Sequence, residues 1–310
     1  MTKQNLPTRV SEQRATVVDA VLNTIQTNGV LPFLQEWTAG AMPTSLASGK
    51  PYRGVNRLNL KFIGRYCGFS DPRWMTFKAA QRAGYKVKKG ARSAVVEKWK
   101  TRTIVKESTD ENTEPKTYTL ISCVGYYSVF NAEQIDGVPP YDPGYVDLAQ
   151  NQILDIADKL AASSRCAVVE DAEGRAYYSP LQDLVHMPDR RLFLGSDETR
   201  SQNYVRTLAH EMTHSTMKPL NRSVEGGFGS EPYAKEELCA ELGSMFICSD
   251  LHIPASYVDG DEHYMQHAAY LQNWIQAVSH DDAASALYNA ATRADEAARY
   301  IIDRYNLMYN

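Results

Sequence analysis

The sequence predicts an α+β protein of two domains: an N-terminal α+β domain, and a mostly helical C-terminal domain with a small sheet. Three observations predict it. The 310 residues carry 33 basic and 37 acidic side chains, a net charge of −4 that conceals a strong asymmetry. Residues 1–106 hold 19 Lys/Arg against 5 Asp/Glu, whereas the remainder holds 14 against 32. Such a contrast marks two modules with different partners. Next, Gly137-Val138-Pro139-Pro140-Tyr141-Asp142-Pro143-Gly144 breaks regular structure and forms a natural joint, which sets the domains at 1–140 and 145–310. Finally, strand-like and helix-like stretches alternate before Ser201, and helical periodicity dominates after it.

Taken in order, residues 10–28 read as an amphipathic helix through Val17, Val18, Val21 and Ile25. Residues 55–68 and 74–83 read as two further helices. Val95–Val105 and Tyr118–Phe130 are strand-like, with the polar stretch Glu107–Lys116 as a hairpin loop between them. Beyond the joint, Val146–Ala162 has helical spacing, and Ala167–Glu170, Arg175–Ser179 and Leu184–Met187 are short strand candidates. The next helix starts at Ser201 as N-cap and is ended by Pro219. Gly226-Gly227-Phe228-Gly229 turns the chain into a following acidic helix, and Ala283–Tyr305 is an Ala-rich amphipathic tail. Residues 1–16 are polar and no apolar run approaches membrane-spanning length, so a cytoplasmic chain without a membrane partner is expected. Cys67, Cys123, Cys166, Cys239 and Cys248 are scattered and odd in number, the pattern of reduced thiols.

The basic half carries two runs, Lys50–Arg65 and Arg73–Arg102, interleaved with Tyr52, Phe62, Tyr66, Trp74, Phe77, Tyr85 and Trp99. Cations that track a phosphate backbone, with flat rings on which bases stack, are the ingredients of a single-strand site. Lys50, Arg53, Arg57, Arg73, Lys78, Lys86, Lys88, Lys89 and Arg92 are the candidates to neutralise phosphates, with Tyr52 or Trp74 stacking on bases. Single-stranded DNA is the expected partner and double-stranded DNA a weaker one. Taken singly, any one of these aromatics reads more readily as a core residue; the charge field as a whole points to nucleic acid. A lipid surface is disfavoured, because no basic amphipathic helix or lipidation motif accompanies the charge.

His210-Glu211-Met212-Thr213-His214 carries the chemistry of the acidic half. Positions i and i+4 of a helix share a face, so both imidazoles can reach one ion, and Glu211 beside them is placed as general base. Zinc suits this donor set, with Mn2+ or another divalent ion as alternatives. A third ligand is expected from Glu236-Glu237-Leu238-Cys239-Ala240-Glu241. On a helix Glu237 and Glu241 share a face, and Glu236 points about 100° away. Cys239, two residues beyond Glu237, falls on the far side.

The order Glu-Glu-x-x-Ala-Glu resembles the Asn-Glu-x-x-Ser-Asp helix of thermolysin-like gluzincins. That resemblance implies Glu237 as third ligand and Glu241 as the carboxylate that orients His210 from behind, with Glu236 the alternative ligand. Tyr233, His263 and Tyr264 are candidates to polarise a substrate carbonyl. A longer series is similar to the plasmid ArdC antirestriction family. It comprises Ser48-Gly49-Lys50-Pro51-Tyr52-Arg53-Gly54-Val55-Asn56, Pro72-Arg73-Trp74-Met75-Thr76-Phe77-Lys78, Val87-Lys88-Lys89-Gly90, Tyr127-Ser128-Val129-Phe130-Asn131, Tyr178-Ser179-Pro180, Met187-Pro188, Tyr233-Ala234 and Tyr270-Leu271-x-x-Trp274. The first domain also resembles the N-terminal region of TraC-type conjugative primases.

The ArdC resemblance implies a single-stranded-DNA-binding domain fused to a zincin-like metallopeptidase domain, and protection of incoming mobile-element DNA from host restriction. A protein substrate of the peptidase site, a restriction component among the candidates, is the expected second partner. Two other functions fit the same residues: a DNA-binding shield whose metal is structural or vestigial, and a DNA-dependent protease acting on DNA-bound proteins.

Overall fold

The computed structural model describes residues 7–28, 42–106, 116–142, 148–171, 174–223, 230–253 and 279–309. Among these, helix α1 (Thr8–Asn28) leads into β1 (Thr44–Ser45), α2 (Gly54–Tyr66), β2 (Arg73–Thr76), α3 (Phe77–Arg82) and β3 (Lys86–Val87). The long strands β4 (Ala94–Lys106) and β5 (Lys116–Asn131) and the short β6 (Ile135–Asp136) complete the N-terminal part. β1, β2, β5 and β4 form one sheet in that order, with β1–β2 parallel and the other pairs antiparallel; β3 pairs with β6. Of the expected hairpin loop Glu107–Lys116, residues 107–115 lie outside the described residues and Lys116 opens β5.

The segment expected as a helix over 74–83 divides in two. Arg73–Thr76 is a strand on β5, with Trp74 opposite Asn131 and Thr76 opposite Val129. The reason is burial on both faces. Trp74 packs with Leu60, Ala94, Val96 and Val129, whereas Met75 packs with Ala80 and Ile135. Side chains on opposite faces require the period of a strand. Thr76 then caps α3 by accepting a hydrogen bond from the Ala79 amide at 3.2 Å.

β4 lies at the edge of its sheet, where unpaired amides and carbonyls are costly if buried. Two carboxamides satisfy them. Gln13 of α1 donates to the Val95 carbonyl (2.8 Å) and accepts from the Val95 amide (2.6 Å). Asn56 of α2 makes the same pair of bonds to Glu97, both at 2.7 Å. The helices therefore lock to the sheet through its backbone.

The C-terminal part comprises α4 (Gln150–Ala162), β7 (Ala167–Asp171), β8 (Tyr177–Ser179), β9 (Leu184–Pro188), α5 (Asp197–Ser215), α6 (Glu231–Asp250) and α7 (His280–Tyr309). The small sheet has the order β7–β9–β8, parallel between β7 and β9 and antiparallel between β8 and β9. α5 begins one turn earlier than expected: the N-cap is Ser196, whose hydroxyl accepts from the Thr199 amide. Ser201 is buried within the helix and donates to the Asp197 carbonyl. The helix ends at Ser215, before Pro219 is reached.

The core does not divide at the Pro-rich joint. Val17, Val18 and Val21 of α1 and Val55, Leu58 and Phe62 of α2 belong to one cluster with α4, α5, α6 and α7. The alanines of α7 make this possible, since Ala290, Ala291, Ala294 and Ala298 let neighbouring elements approach closely. Polar bonds tie the same seam. Tyr288 of α7 donates to Asn59 Oδ1 at 2.9 Å, and the Arg14 guanidinium lies 4.6 Å from the Tyr288 ring centre. No described helix is long and apolar enough to cross a membrane.

Candidate metal centre

The centre is built where α5 and α6 pack with almost no gap. A Cβ on Gly243 would come within 2.6 Å of the Thr213 side chain, so only glycine permits this separation. The close crossing brings the carboxylates of α6 onto the histidine face of α5. His210 Nε2 and His214 Nε2 lie 3.1 Å apart, with the rings edge to face. Glu237 spans them, one oxygen 3.4 Å from His210 Nε2 and the other 3.5 Å from His214 Nε2. Among the described residues, these three are the group whose donor atoms all lie within 4.8 Å of one another.

The far sides of the rings are held as well. Glu241 lies 3.2 Å from His210 Nδ1, and Glu236 lies 3.5 Å from His214 Nδ1. A carboxylate at Nδ1 keeps the proton there and leaves the Nε2 lone pair as a ligand. Two Nε2 atoms converging with the Glu237 carboxylate at this spacing form a donor set that fits a divalent ion. Without an ion the surrounding carboxylates favour protonated rings, and a bound cation takes the place of the Nε2 protons. Burial would lower the His210 pKa, but Glu241, the Glu237 hydrogen bond and the Glu211 charge outweigh it and hold the imidazole well above its ordinary value. Burial likewise opposes charge on His214, yet Glu237 and Glu236 lift it to about 9. The site stabilises positive charge.

Glu236 thus stands behind His214 and not among the converging donors, the alternative ligand position considered for it. Arg222 fixes it there. The guanidinium donates to Glu236 Oε1 (2.8 Å), to the Thr213 carbonyl (2.9 Å) and to Thr216 Oγ1 (3.0 Å), with both side chains 5% exposed. Burial raises the Glu236 carboxyl, and the His214 and Arg222 contacts more than reverse this and hold it below its ordinary value. Helical spacing offers no signal for Arg222, because it follows the turn after α5 and reaches back over it. Replacing Glu236 with Gln, or Arg222 with Met, is expected to weaken divalent-metal affinity about 10–100-fold, the usual cost of losing a partner behind a liganding histidine. Calorimetric titration of the metal-stripped protein checks this; unchanged affinity in both variants contradicts it.

Cys239 is buried outside the donor group, and burial foremost pushes its thiol up to about 12. Tyr233 is half-buried in the first turn of α6, and His263 and Tyr264 lie outside the described residues.

The phosphate candidates fall into two sets. Lys50, Arg53, Lys78, Lys86, Lys88, Lys89 and Arg92 are exposed. Arg73 is half-buried, forked onto Asp71 and bonded to the Pro139 carbonyl at 2.7 Å. Arg57 is corrected outright. It is fully buried, with Nη2 2.7 Å from the Phe246 carbonyl and 3.1 Å from Asp250, and Nη1 3.5 Å from Asp295. Trp74 is also core, at 1% exposure, and offers no face to a base. Tyr52 is half-buried against the same cluster. Among the described residues before the Pro-rich joint, the exposed rings are Tyr66, Phe77, Trp99 and Tyr127.

Comparison with known proteins places these features together. Residues 11–130 match the family described as the N-terminal domain of anti-restriction factor ArdC, and residues 155–293 match the zincin-like metallopeptidase family. Two Escherichia coli proteins named DNA primase TraC are each 33% identical over 291 residues, 88% of this chain. The likeness to TraC therefore runs beyond the first domain. The chain spans 25% and 19% of the lengths of those primases. An uncharacterized protein, y4eC, of Sinorhizobium fredii (strain NBRC 101917 / NGR234) is 29% identical over 300 residues, covering 95% of this chain and 92% of its own. The metal-free crystal structure of the antirestriction protein ArdC from plasmid R388 superposes with a TM-score of 0.65 at 28% identity, covering 95% of this chain and 98% of the other. The Mn(II)-bound structure gives 0.66 at 29%, covering 94% and 97%.

Proposed function

The chain belongs to the ArdC-type proteins, an ArdC N-terminal domain joined to a zincin-like metallopeptidase domain, and on that premise we propose that it is an antirestriction protein with two activities. The N-terminal half binds single-stranded DNA, and duplex DNA more weakly, to shield incoming mobile-element DNA from restriction. The α5–α6 centre is a zinc metallopeptidase site acting on a protein, with a component of the restriction machinery as the candidate substrate. The observation that carries the enzymatic half is the convergence of His210, His214 and Glu237 with their orienting carboxylates behind them.

His210, His214 and Glu237 would hold the ion, while Glu241 and Glu236 fix the ring orientations. Zinc, when bound, supplies Lewis-acid polarisation of water and carbonyl. Glu211, the remaining acid of the motif and buried beside His210, takes the proton from the attacking water and returns it to the departing amine. DNA binding by the exposed lysines and arginines follows counterion release, so affinity falls steeply with salt and discriminates poorly among sequences.

Glu211→Ala separates the two halves. The variant is expected to retain metal and to bind single-stranded DNA as the wild type does, while peptide cleavage falls to background. Cleavage at the wild-type rate contradicts the assignment of the base. A transfer assay with restricted recipients then reads protection: survival in Glu211→Ala assigns protection to DNA binding, and loss assigns it to proteolysis.

A further inference from the structure

With Trp74 in the core and Tyr52 half-buried, base stacking requires other rings. We propose that the β4–β5 hairpin arm is the stacking platform, with Trp99 and Tyr127 receiving bases and Lys98, Lys100 and Arg102 receiving the phosphates between them. The proposal rests on the single-strand-binding function above and assigns its base-contacting surface.

Several features converge on this arm. Trp99 and Tyr127 are 44% and 47% exposed, on adjacent strands of the edge pair. The strand register shifts between Lys98 and Trp99, after which Trp99 stands opposite Cys123. Such irregularities redirect side chains and twist the ladder locally. The Tyr127 ring packs over Gly125, where a Cβ would lie at ordinary contact distance, 3.6 Å from it. The Lys98 ammonium is 5.8 Å from the centre of that ring, which sets a positive charge beside the stacking surface. Lys98, Lys100 and Arg102 are all exposed.

Charge selects the occupant. From Lys98 to Lys106, and again from Lys116 to Tyr127, the strands contain basic residues and no acid; beyond Glu97 the acids of the hairpin are confined to 107–115. Buried acids and amides hold the inner end of β4, where Glu97 pairs with Arg14 and Asn56 and Gln13 clamp its backbone. Past this clamp β4 presents Lys98, Trp99, Lys100 and Arg102, with Tyr127 beside them on β5 opposite Val96; rings and cations together are the combination that binds single strands without sequence preference.

Full-length protein is titrated by fluorescence anisotropy against a labelled oligo-dT and against an abasic oligonucleotide of equal length. The abasic strand keeps the phosphates and lacks the bases. Trp99→Ala and Tyr127→Ala are each expected to weaken oligo-dT binding about ten-fold and to leave abasic binding unchanged, while Trp99→Phe retains wild-type affinity. Wild-type affinity for oligo-dT in both alanine variants overturns the platform and leaves single-strand binding standing. Failure of the wild type to bind either strand overturns the binding function itself, and the platform with it.

Discussion

Arg57→Met is expected to destabilise the protein by about 3–5 kcal/mol in a denaturant titration, the range for removing one member of a buried ion pair. The Arg57 side chain has no exposed surface, and it links α2 to α6 and α7. Its guanidinium sits 4.1 Å from the centre of the Phe246 ring while bonding to Asp250 and to the Phe246 carbonyl. Without it, Asp250, 17% exposed, loses its guanidinium partner and Asp295, 7% exposed, keeps only Arg53 at 3.9 Å, where water replaces the lost cation poorly. Arg57→Met with Asp250→Leu and Asp295→Leu is expected to recover most of the loss, because the penalty comes from the orphaned carboxylates. The folded fraction of Arg57→Met should bind single-stranded DNA with wild-type affinity. A stable variant with weakened DNA binding would return Arg57 to the phosphate-contacting set.

The second large effect concerns the metal. Loss of a carboxylate behind a liganding histidine costs about 10–100-fold in affinity, and loss of a ligand atom itself costs more. Glu237→Ala removes the group that spans both Nε2 atoms, and His210→Ala removes one of the two imidazoles. Linkage gives a readout without substrate. An ion present at 100 times its Kd stabilises the fold by about 2.7 kcal/mol. Zinc should raise the wild-type unfolding midpoint and leave that of Glu237→Ala in place.

The metal centre is legible in the sequence because each half lies within one helix, where spacing alone decides which side chains share a face. His210 and His214 at i and i+4, and Glu237 and Glu241 likewise, need only the helix period. What joins them is the close approach of Gly243 to Thr213, a tertiary event that neither helix announces. Arg222 is silent for the same reason. It acts across a turn on an acid 14 residues away. In the basic half the letters mislead. Arg57 belongs to the same run as Lys50 and Arg53, yet its place is decided by Asp295, 238 residues later in the chain. Trp74 and Met75 lie in the four-residue strand Arg73–Thr76, too short for periodicity to separate from a helix, and both of its faces are covered. The long strands β4 and β5 are readable because Val, Ile, Thr, Tyr and Trp, residues of high strand propensity, recur over many positions.

The most direct test is metal stoichiometry. Stripped protein is loaded with zinc, dialysed, and its metal content measured by plasma mass spectrometry for wild type, His210→Ala, Glu237→Ala and Glu211→Ala. One ion per chain in the wild type and in Glu211→Ala, with background metal in the other two, is the predicted result. Equal metal in all four, or none in the wild type, would contradict a centre held by His210, His214 and Glu237.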